Sequence, residues 1–456
     1  MSWPVAAIVA LNLLFVAAGH PVVWAIRGYA GWREVLRLTG VAYLAGLALV
    51  ALAIENLLVV GVPFSVWTVL ATSAAIGGAG AVAGVALRRP PPRGGEERRR
   101  EPLLALGVGA AAIVAVYLVA LARVAPHLGV WEPDAWTFWT PKAQAIYYFG
   151  GLDHRVFTTL PGPTYPLVLP ALEAMDFAFM GRVDTLALHV QPYLLFCGFL
   201  WTAAGLLRPR LPLSAIWPFL ALLCMTPNVH YTVLSPLADF PLGYFFAAGG
   251  LALALWLQTR ERPFLLLSGL WLAAAMSTKR EGLLLAVALA VAAALASARR
   301  WRWTWPRLAL LVAAAFATTV PWRIWWHVNS LTGELPTTGP TDWASSLGRV
   351  PSAFWLLLDR FTSPSLWLLL VPLVLVAGAV AVGLPAARGI GSLYLLTTLF
   401  ALVGFTWVFW AYPDLPTTVT GESPAPRAVS SLVLFSAAIA PLLVERIQAA
   451  LRRSTE

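Results

Sequence analysis

Long runs of apolar residues recur from one end of the chain to the other, with short polar connections between them. Most runs reach about 18 residues or more, enough for an α-helix to cross roughly 30 Å of hydrocarbon. The alternation of apolar and polar residues that a membrane barrel requires is absent. The pattern predicts an all-α bundle of about thirteen transmembrane helices. We place them near residues 4–26, 39–61, 65–87, 102–124, 185–207, 213–230, 237–258, 263–278, 281–298, 306–327, 364–384, 391–411 and 428–446.

The composition agrees with a protein whose solvent is a bilayer. Hydrophobic residues make up 59% of the 456-residue chain, charged residues only 11%, and the mean hydropathy is +0.76. A water-soluble core of this length would not need so much apolar surface. The first apolar run has neither a basic segment before it nor a small-residue cleavage site after it, so we expect a retained helix.

Basic residues cluster in every second connection between the apolar runs. The clusters lie at Arg27–Arg37, Arg88–Arg100, Arg208–Arg210, Arg260–Arg262, Arg299–Arg307, Arg388 and Arg446–Arg453. By the positive-inside rule these connections are cytoplasmic, which places the N-terminus outside the plasma membrane and the C-terminus inside the cell. Topology thus accounts for the net charge of +10, and we expect no nucleic-acid partner.

The stretch 88–101, rich in Pro, Arg and Glu, is the one clear linker. It is predicted to be cytoplasmic and to separate a leading three-helix module, 1–87, from a transmembrane core over 102–327. A long outer loop over 126–184 belongs to that core. Further helices follow over 328–456, with outer loops near 328–362 and 412–427.

Acidic residues fall mostly on the predicted outer side, and a minority of basic residues lies there against the general bias. These include Lys142, Lys279, Arg280 and Arg427. Lys and Arg beside a membrane-embedded cleft are suited to bind phosphate oxygens. Snorkelling and surface ion pairing are the alternatives for any one of them. As a set, they favour an anionic ligand on the outer face.

The first outer loop begins where the fourth predicted helix leaves the membrane, and it carries Glu132 and Asp134. A carboxylate at this interface can act as a general base on an incoming hydroxyl. Asp134 is alternatively the N-cap of a short amphipathic helix over Ala135–Phe149 on the membrane surface, and both roles are compatible. A divalent metal ion held by Glu132, Asp134 and Asp239 stays an open alternative. Trp136 and Trp139 fit either an interfacial aromatic belt or sugar stacking.

Four stretches on the predicted outer side together resemble the membrane-embedded glycosyltransferases of the GT-C superfamily. That group includes the protein O-mannosyltransferases and the bacterial lipid A aminoarabinose transferases. The four stretches are Glu132-Pro-Asp134 with the following Trp136, Trp139 and Lys142; Tyr165-Pro166 through Pro170; Leu237-Ala-Asp239-Phe-Pro241; and Ser277-Thr-Lys279-Arg280-Glu281-Gly282. The chain lacks the His that many relatives carry before Tyr-Pro, and we expect it to be without the large soluble C-terminal domain of some members.

The resemblance implies a GT-C-like fold and a polyprenyl-phosphate-linked sugar donor. It implies that an acceptor hydroxyl on a glycan, lipid or protein attacks the anomeric carbon with inversion, Asp134 acting as the base. The resemblance also implies roles for the neighbouring residues. Lys142, Lys279, Arg280 and Arg427 would contact the donor phosphate, Glu132 and Asp239 would bind acceptor or metal, and Trp136, Trp139, Tyr165 and Glu281 would line the substrate site.

Two other classes of function remain as alternatives. A transporter or flippase of a lipid-linked or anionic substrate fits the helix count equally well, and it would place ionisable residues near the bilayer midplane. Glu55 is the only clear candidate of that kind. A polysaccharide polymerase or ligase would share the lipid-linked donor.

Overall fold

The computed structural model describes residues 2–87, 101, 103–331, 347–411 and 424–455. Within these ranges the regular elements are helical and none is a strand, which confirms the predicted all-α class. The predicted linker 88–101 lies outside the described residues except for Glu101. Parts of the two later outer loops, 332–346 and 412–423, also lie outside them.

The first part of the chain forms a tight group of helices. They are α1 (Trp3–Arg27), α2 (Trp32–Arg37), α3 (Thr39–Val59) and α4 (Val66–Leu87). Where α1 crosses α3, a Cβ atom on Gly19 would lie 1.8 Å from the carbonyl oxygen of Ala42, and one on Gly46 would lie 1.9 Å from that of Phe15. Small residues allow this close approach of two backbones, which is how helices gain contact in a lipid solvent.

The middle of the chain alternates long helices with the short ones of segment 126–184, the predicted first outer loop. Its α-helices are α5 (Leu104–Val124), α6 (Thr140–Phe149), α7 (His154–Thr159), α8 (Val168–Met180), α9 (Thr185–Leu188), α10 (Val190–Leu207), α11 (Leu213–Cys224) and α12 (Pro227–Thr232). A 3₁₀ turn, Ala125–His127, extends α5, and a π-helical turn, Ala135–Trp139, leads into α6.

The remainder is built around one buried helix. Its α-helices are α13 (Asp239–Thr259), α14 (Arg262–Thr278), α15 (Glu281–Ala296), α16 (Trp301–Ala317), α17 (Val320–Val328), α18 (Arg349–Thr362), α19 (Pro364–Trp367), α20 (Leu370–Gly383), α21 (Arg388–Ala411) and α22 (Ala425–Thr455). Helix α13 packs against α14 and α22 and is buried along most of its length.

Eight helices of the described residues are long and apolar enough to cross a membrane, or up to ten if each of two bent pairs counts as one span. This indicates a multi-pass membrane protein. The eight cover Trp3–Arg27, Thr39–Val59, Val66–Leu87, Leu104–His127, Thr185–Leu207, Asp239–Thr259, Arg388–Trp410 and Ala425–Arg453. The predicted count of thirteen and the GT-C fold are not confirmed by this architecture.

The difference in count has a physical reason. Helices α11, α14 and α15 contain 12, 17 and 16 residues, and at about 1.5 Å per residue they fall short of the hydrocarbon thickness. The predicted spans at 306–327 and 364–384 coincide with the bent pairs, which turn by 41° and 118°. Apolar runs in the sequence thus mark both full spans and shorter buried helices.

The three long leading helices share a core with the rest of the bundle. One continuous cluster of buried apolar side chains extends from Ala7 in α1 to Leu443 in α22. Helix α3 contacts α10 and α14, and α1 contacts α8.

Candidate active site

Charged side chains from four separate parts of the chain meet at one end of the bundle. Asp239 is the first residue of α13, and the turn after α14 carries Lys279. Helices α13 and α14 are joined by a short connection and run antiparallel, which brings the end of α14 beside the start of α13. Helix α22 also begins at this end, and Arg427 lies in its first turn. Asp134 precedes the π-helical turn of the first outer loop.

The guanidinium group of Arg427 forms an ion pair with the Asp134 carboxylate, with Nη1 and Oδ2 2.8 Å apart. The Asp134 side chain is 39% exposed and that of Arg427 is 30% exposed. The pair is therefore accessible to a ligand. The second carboxylate oxygen of Asp134 has no hydrogen-bond partner among the described residues.

The interpretation of Asp134 as a helix N-cap is wrong. Its backbone is helical, with φ −64° and ψ −32°, and its side chain accepts no hydrogen bond from the following turn. An N-cap residue normally has an extended backbone, so that its side chain can reach those amide groups. The short helix itself is confirmed as α6, preceded by the π-helical turn.

A second ion-pair group centres on Lys279. Its Nζ lies 2.8 Å from Oδ1 of Asp239 and 3.1 Å from Oε1 of Glu281. Lys279 has an extended backbone, φ −153° and ψ 153°, which interrupts the helix between α14 and α15. Burial alone would lower the pKa of Lys279, but the carboxylates of Asp239 and Glu281 raise that pKa above its ordinary value. The ammonium group therefore stays charged at neutral pH.

The two groups form one electrostatic cluster. Arg427 interacts with Asp239 and Glu281 as well as with Asp134. Three carboxylates thus share two cations, Lys279 and Arg427, in a largely buried setting. We call Asp134, Asp239, Lys279, Glu281 and Arg427 the ionic cluster.

Arg280 lies beside the ionic cluster but has no carboxylate partner among the residues described. Its guanidinium carbon lies 4.9 Å from the ring centre of Tyr165 and 5.8 Å from that of Trp326. Aromatic faces attract a cation without neutralising it. Burial, followed by the nearby Glu281 carboxylate, raises the pKa of Tyr165 to about 12, so this ring is neutral at physiological pH.

Lys142 lies in a buried setting lined by aromatic rings. It is fully buried, and its ammonium group donates a hydrogen bond to the carbonyl oxygen of Gly162. The rings of Phe138, Trp139 and Tyr165 surround it at 5.3–5.9 Å. Lys142 therefore holds the loop that carries Tyr165.

The predicted substrate-lining tryptophans differ in exposure. Trp139 is buried and packs against Tyr165 with ring centres 5.5 Å apart, whereas Trp136 is 57% exposed. Trp139 therefore supports the Tyr165 ring from inside, and only Trp136 is open to an incoming molecule.

Glu132 lies apart from Asp134 although only Pro133 separates them. It is buried and lines a cavity of about 330 Å³ together with His189, His230 and Tyr117. Among the described residues no three His, Cys, Asp or Glu side chains are grouped as a metal site would require. A metal ion held by Glu132, Asp134 and Asp239 stays a prediction.

Glu55, the one acidic residue predicted to lie near the middle of a span, forms a hydrogen bond with the backbone. Its Oε1 accepts a hydrogen bond of 3.2 Å from the backbone N–H of Leu167, at the start of α8. Glu55 thus ties the leading helices to the Tyr165 loop.

Sequence reasoning did not identify the contribution of α17 to this region. Trp326 contacts Arg280, and Trp322 donates a hydrogen bond of 3.3 Å to the carbonyl oxygen of Thr164, beside Tyr165. The spacing of Trp322, Trp325 and Trp326 on an amphipathic helix was an available signal for a packed aromatic face.

No protein-family model matches the chain, and neither a curated protein nor a solved structure matches it. The fold and site define a class on their own: a multi-pass helical membrane protein with a partly exposed ionic cluster at one end of its bundle.

Proposed function

We propose that the protein is an inverting glycosyltransferase that moves a sugar from a polyprenyl-phosphate donor to an acceptor hydroxyl on the outer face of the membrane. The observation that supports this most is the meeting of Asp134 with Arg427, and of Asp239 with Lys279, at the same end of the bundle. A carboxylate beside several cations, at a membrane surface, provides a base and a phosphate site together.

Asp134 is the proposed base. Arg427 bonds to one oxygen of its carboxylate and orients it, while the second oxygen is left to accept a proton. As the acceptor oxygen forms its bond to the anomeric carbon, its proton passes to Asp134. The bond between the anomeric carbon and the phosphate oxygen breaks, and its electron pair leaves with the polyprenyl phosphate.

Arg280 is the proposed first ligand of that phosphate. Lys279 and Arg427 are engaged by carboxylates, whereas Arg280 has only aromatic contacts among the described residues. A preorganised cation in a site of low dielectric constant stabilises charge that accumulates on the leaving group. Arg427 and Lys279 supply the surrounding positive potential.

The charge distribution along two long helices supports an outer location for the ionic cluster. Helices α13 and α22 carry Asp239 and Arg427 at one end; Arg260 follows the other end of α13, and Arg452 and Arg453 lie in the last turn of α22. Arginine-rich ends face the cytoplasm by the positive-inside rule. Lipid-linked sugars are a fitting donor on the opposite side, because nucleotide sugars are not available there.

The experiment is a transfer assay with purified protein in lipid nanodiscs, using a panel of polyprenyl-phosphate hexoses and pentoses. Release of polyprenyl phosphate reports donor use. We expect Asp134→Asn to lose activity by about 100-fold or more, the usual contribution of a general base. The matched control is Asp359→Asn, which alters a carboxylate that is 58% exposed in α18. Equal turnover by wild type and Asp134→Asn on an accepted donor would remove Asp134 from the mechanism.

A further inference from the structure

A second charged cavity lies at the opposite end of the bundle from the ionic cluster. Its volume is about 560 Å³, and the ends of α13, α15, α21 and α22 enclose it. Four arginines line it: Arg260, Arg300, Arg388 and Arg446. Neither the proposed base nor the proposed phosphate ligand of the transfer reaction is part of this cavity.

The positive charge of this cavity is poorly neutralised. Arg260 lies over the rings of Trp256 and Trp303, at 5.5 Å and 4.6 Å, and its Nη1 is buried with no hydrogen-bond partner among the described residues. Burial, followed by repulsion from Arg300, lowers the pKa of Arg260. Arg388 donates from Nε to a backbone carbonyl, that of Val382, 3.1 Å away.

The nearby carboxylates are engaged at the edges of the cavity. Glu445 lies 3.4 Å from Nε of Arg446, and Glu261 pairs with Arg210 at 3.5 Å. Within the described part of the chain, Arg260, Arg300 and Arg388 have no carboxylate partner. The guanidinium groups of these three arginines are therefore available to bind an anion.

An amide group adds a neutral donor to the same cavity. Gln258 accepts a hydrogen bond of 2.9 Å from Nη2 of Arg446, which fixes the amide orientation. Its Nε2 is buried and has no hydrogen-bond partner among the described residues. A buried N–H that stays unbonded is unfavourable, so an acceptor oxygen from a ligand would relieve that cost.

We infer that this cavity binds a phosphate group. Guanidinium groups match phosphate oxygens bidentately, and the Gln258 amide supplies a further donor. The cavity lies beside Trp256 and Trp303, stacked at 5.3 Å, and the exposed Trp301 and Trp305 follow the same boundary. Tryptophans of this kind mark the membrane interface. Both a phospholipid headgroup and a soluble phosphate can reach a site at that depth.

The test compares the wild type with the double variant Arg260→Gln/Arg388→Gln, using the full chain. Nanodiscs of phosphatidylcholine doped with phosphatidylglycerol supply the lipid phosphate, and native mass spectrometry counts retained phosphatidylglycerol. A second arm measures protection against thermal unfolding by inorganic phosphate in neutral detergent, against chloride at equal ionic strength. Arg302→Gln is the matched control, because Arg302 is exposed and lies outside the cavity at the same end.

We expect the double variant to lower retention of the phosphate ligand about tenfold or more, and Arg302→Gln to leave it unchanged. If the double variant retains less phosphatidylglycerol than the wild type, the ligand is a lipid headgroup. If only the protection by inorganic phosphate is lost, the ligand is a soluble phosphate. If the double variant does not fold, Arg300→Gln takes its place, since this side chain is exposed. Equal binding by wild type and variants, or no binding in either arm, would overturn the inference. Neither outcome bears on glycosyl transfer.

Discussion

The guanidinium group of Arg427 lies 2.8 Å from the carboxylate of Asp134, although Arg427 lies in α22 and Asp134 lies in the segment between α5 and α6. This contact joins the first turn of α22 to the region just before α6. It orients the candidate base and brings positive charge to the place where a leaving phosphate would develop its own charge.

Replacing Arg427 with Gln is expected to lower kcat about tenfold to 100-fold while the donor KM changes less. The reason is that Arg427 stabilises charge that grows in the transition state more than charge present in the bound donor. Arg427→Lys is expected to recover part of kcat, because Lys keeps the charge and loses the planar fork. Steady-state kinetics with an accepted polyprenyl-phosphate sugar measures both constants.

The control for that experiment is Arg182→Gln, a change in an arginine whose side chain is 64% exposed and pairs with Asp184. It is expected to leave both constants unchanged. A kcat for Arg427→Gln equal to that of the wild type would separate Arg427 from catalysis.

Lys279→Met is expected to destabilise the protein by about 3 kcal/mol, because it leaves the buried carboxylate of Asp239 without its closest cation. The double variant Lys279→Met/Asp239→Asn is expected to recover part of that loss, since no unpaired charge remains between the two positions. Thermal unfolding in detergent, followed by tryptophan fluorescence, compares the apparent Tm values. If the stability losses of the two single variants simply add in the double variant, Lys279 and Asp239 are not a coupled pair.

Glu55→Leu is expected to lower both stability and transfer, whereas Glu55→Gln is expected to preserve most of each. The amide of Gln keeps an oxygen that accepts the hydrogen bond from the Leu167 N–H, and Leu leaves that buried donor unbonded, at a cost of about 1–3 kcal/mol. Apparent Tm and polyprenyl phosphate release are measured on both variants. If Glu55→Gln and Glu55→Leu lower stability and transfer equally, the result would indicate that Glu55 acts by taking up and releasing a proton, as in a transporter.

Stability is expected to fall as the pH rises from about 10 to about 12, in part because of Tyr165. Burial raises the pKa of this phenol from 10.0 to about 12 in the folded protein. A raised pKa means that the folded state holds the proton longer than the unfolded state does, so the contribution is complete below pH 10 and is lost as the pH passes the folded value. The size of this contribution is about 3 kcal/mol.

The comparison that isolates Tyr165 is the apparent Tm of wild type and Tyr165→Phe over this pH range. The Phe variant is expected to lose less stability on going from pH 9 to pH 12. Tyr148→Phe alters a tyrosine that is 68% exposed and serves as the control. Identical pH curves for all three proteins would exclude a contribution from Tyr165.

Apolar patterning located the long helices well because the bilayer imposes a length on them. The predicted spans at 4–26, 39–61 and 237–258 agree with α1, α3 and α13 to within two residues at each end. The same patterning also predicted spans at α11 and α15, which are apolar but short, because burial against protein selects the same residues as burial in lipid.

The sequence by itself determined the all-helical class and the apolar segments, because hydrocarbon leaves the backbone no other way to satisfy its hydrogen bonds. It also named the members of the ionic cluster. Only the tertiary structure decided that Arg427 pairs with Asp134, that Lys142 holds a loop, and that Glu55 bonds to Leu167. Those outcomes depend on helix packing, which brings together residues far apart in the chain and buries some charges while leaving others exposed.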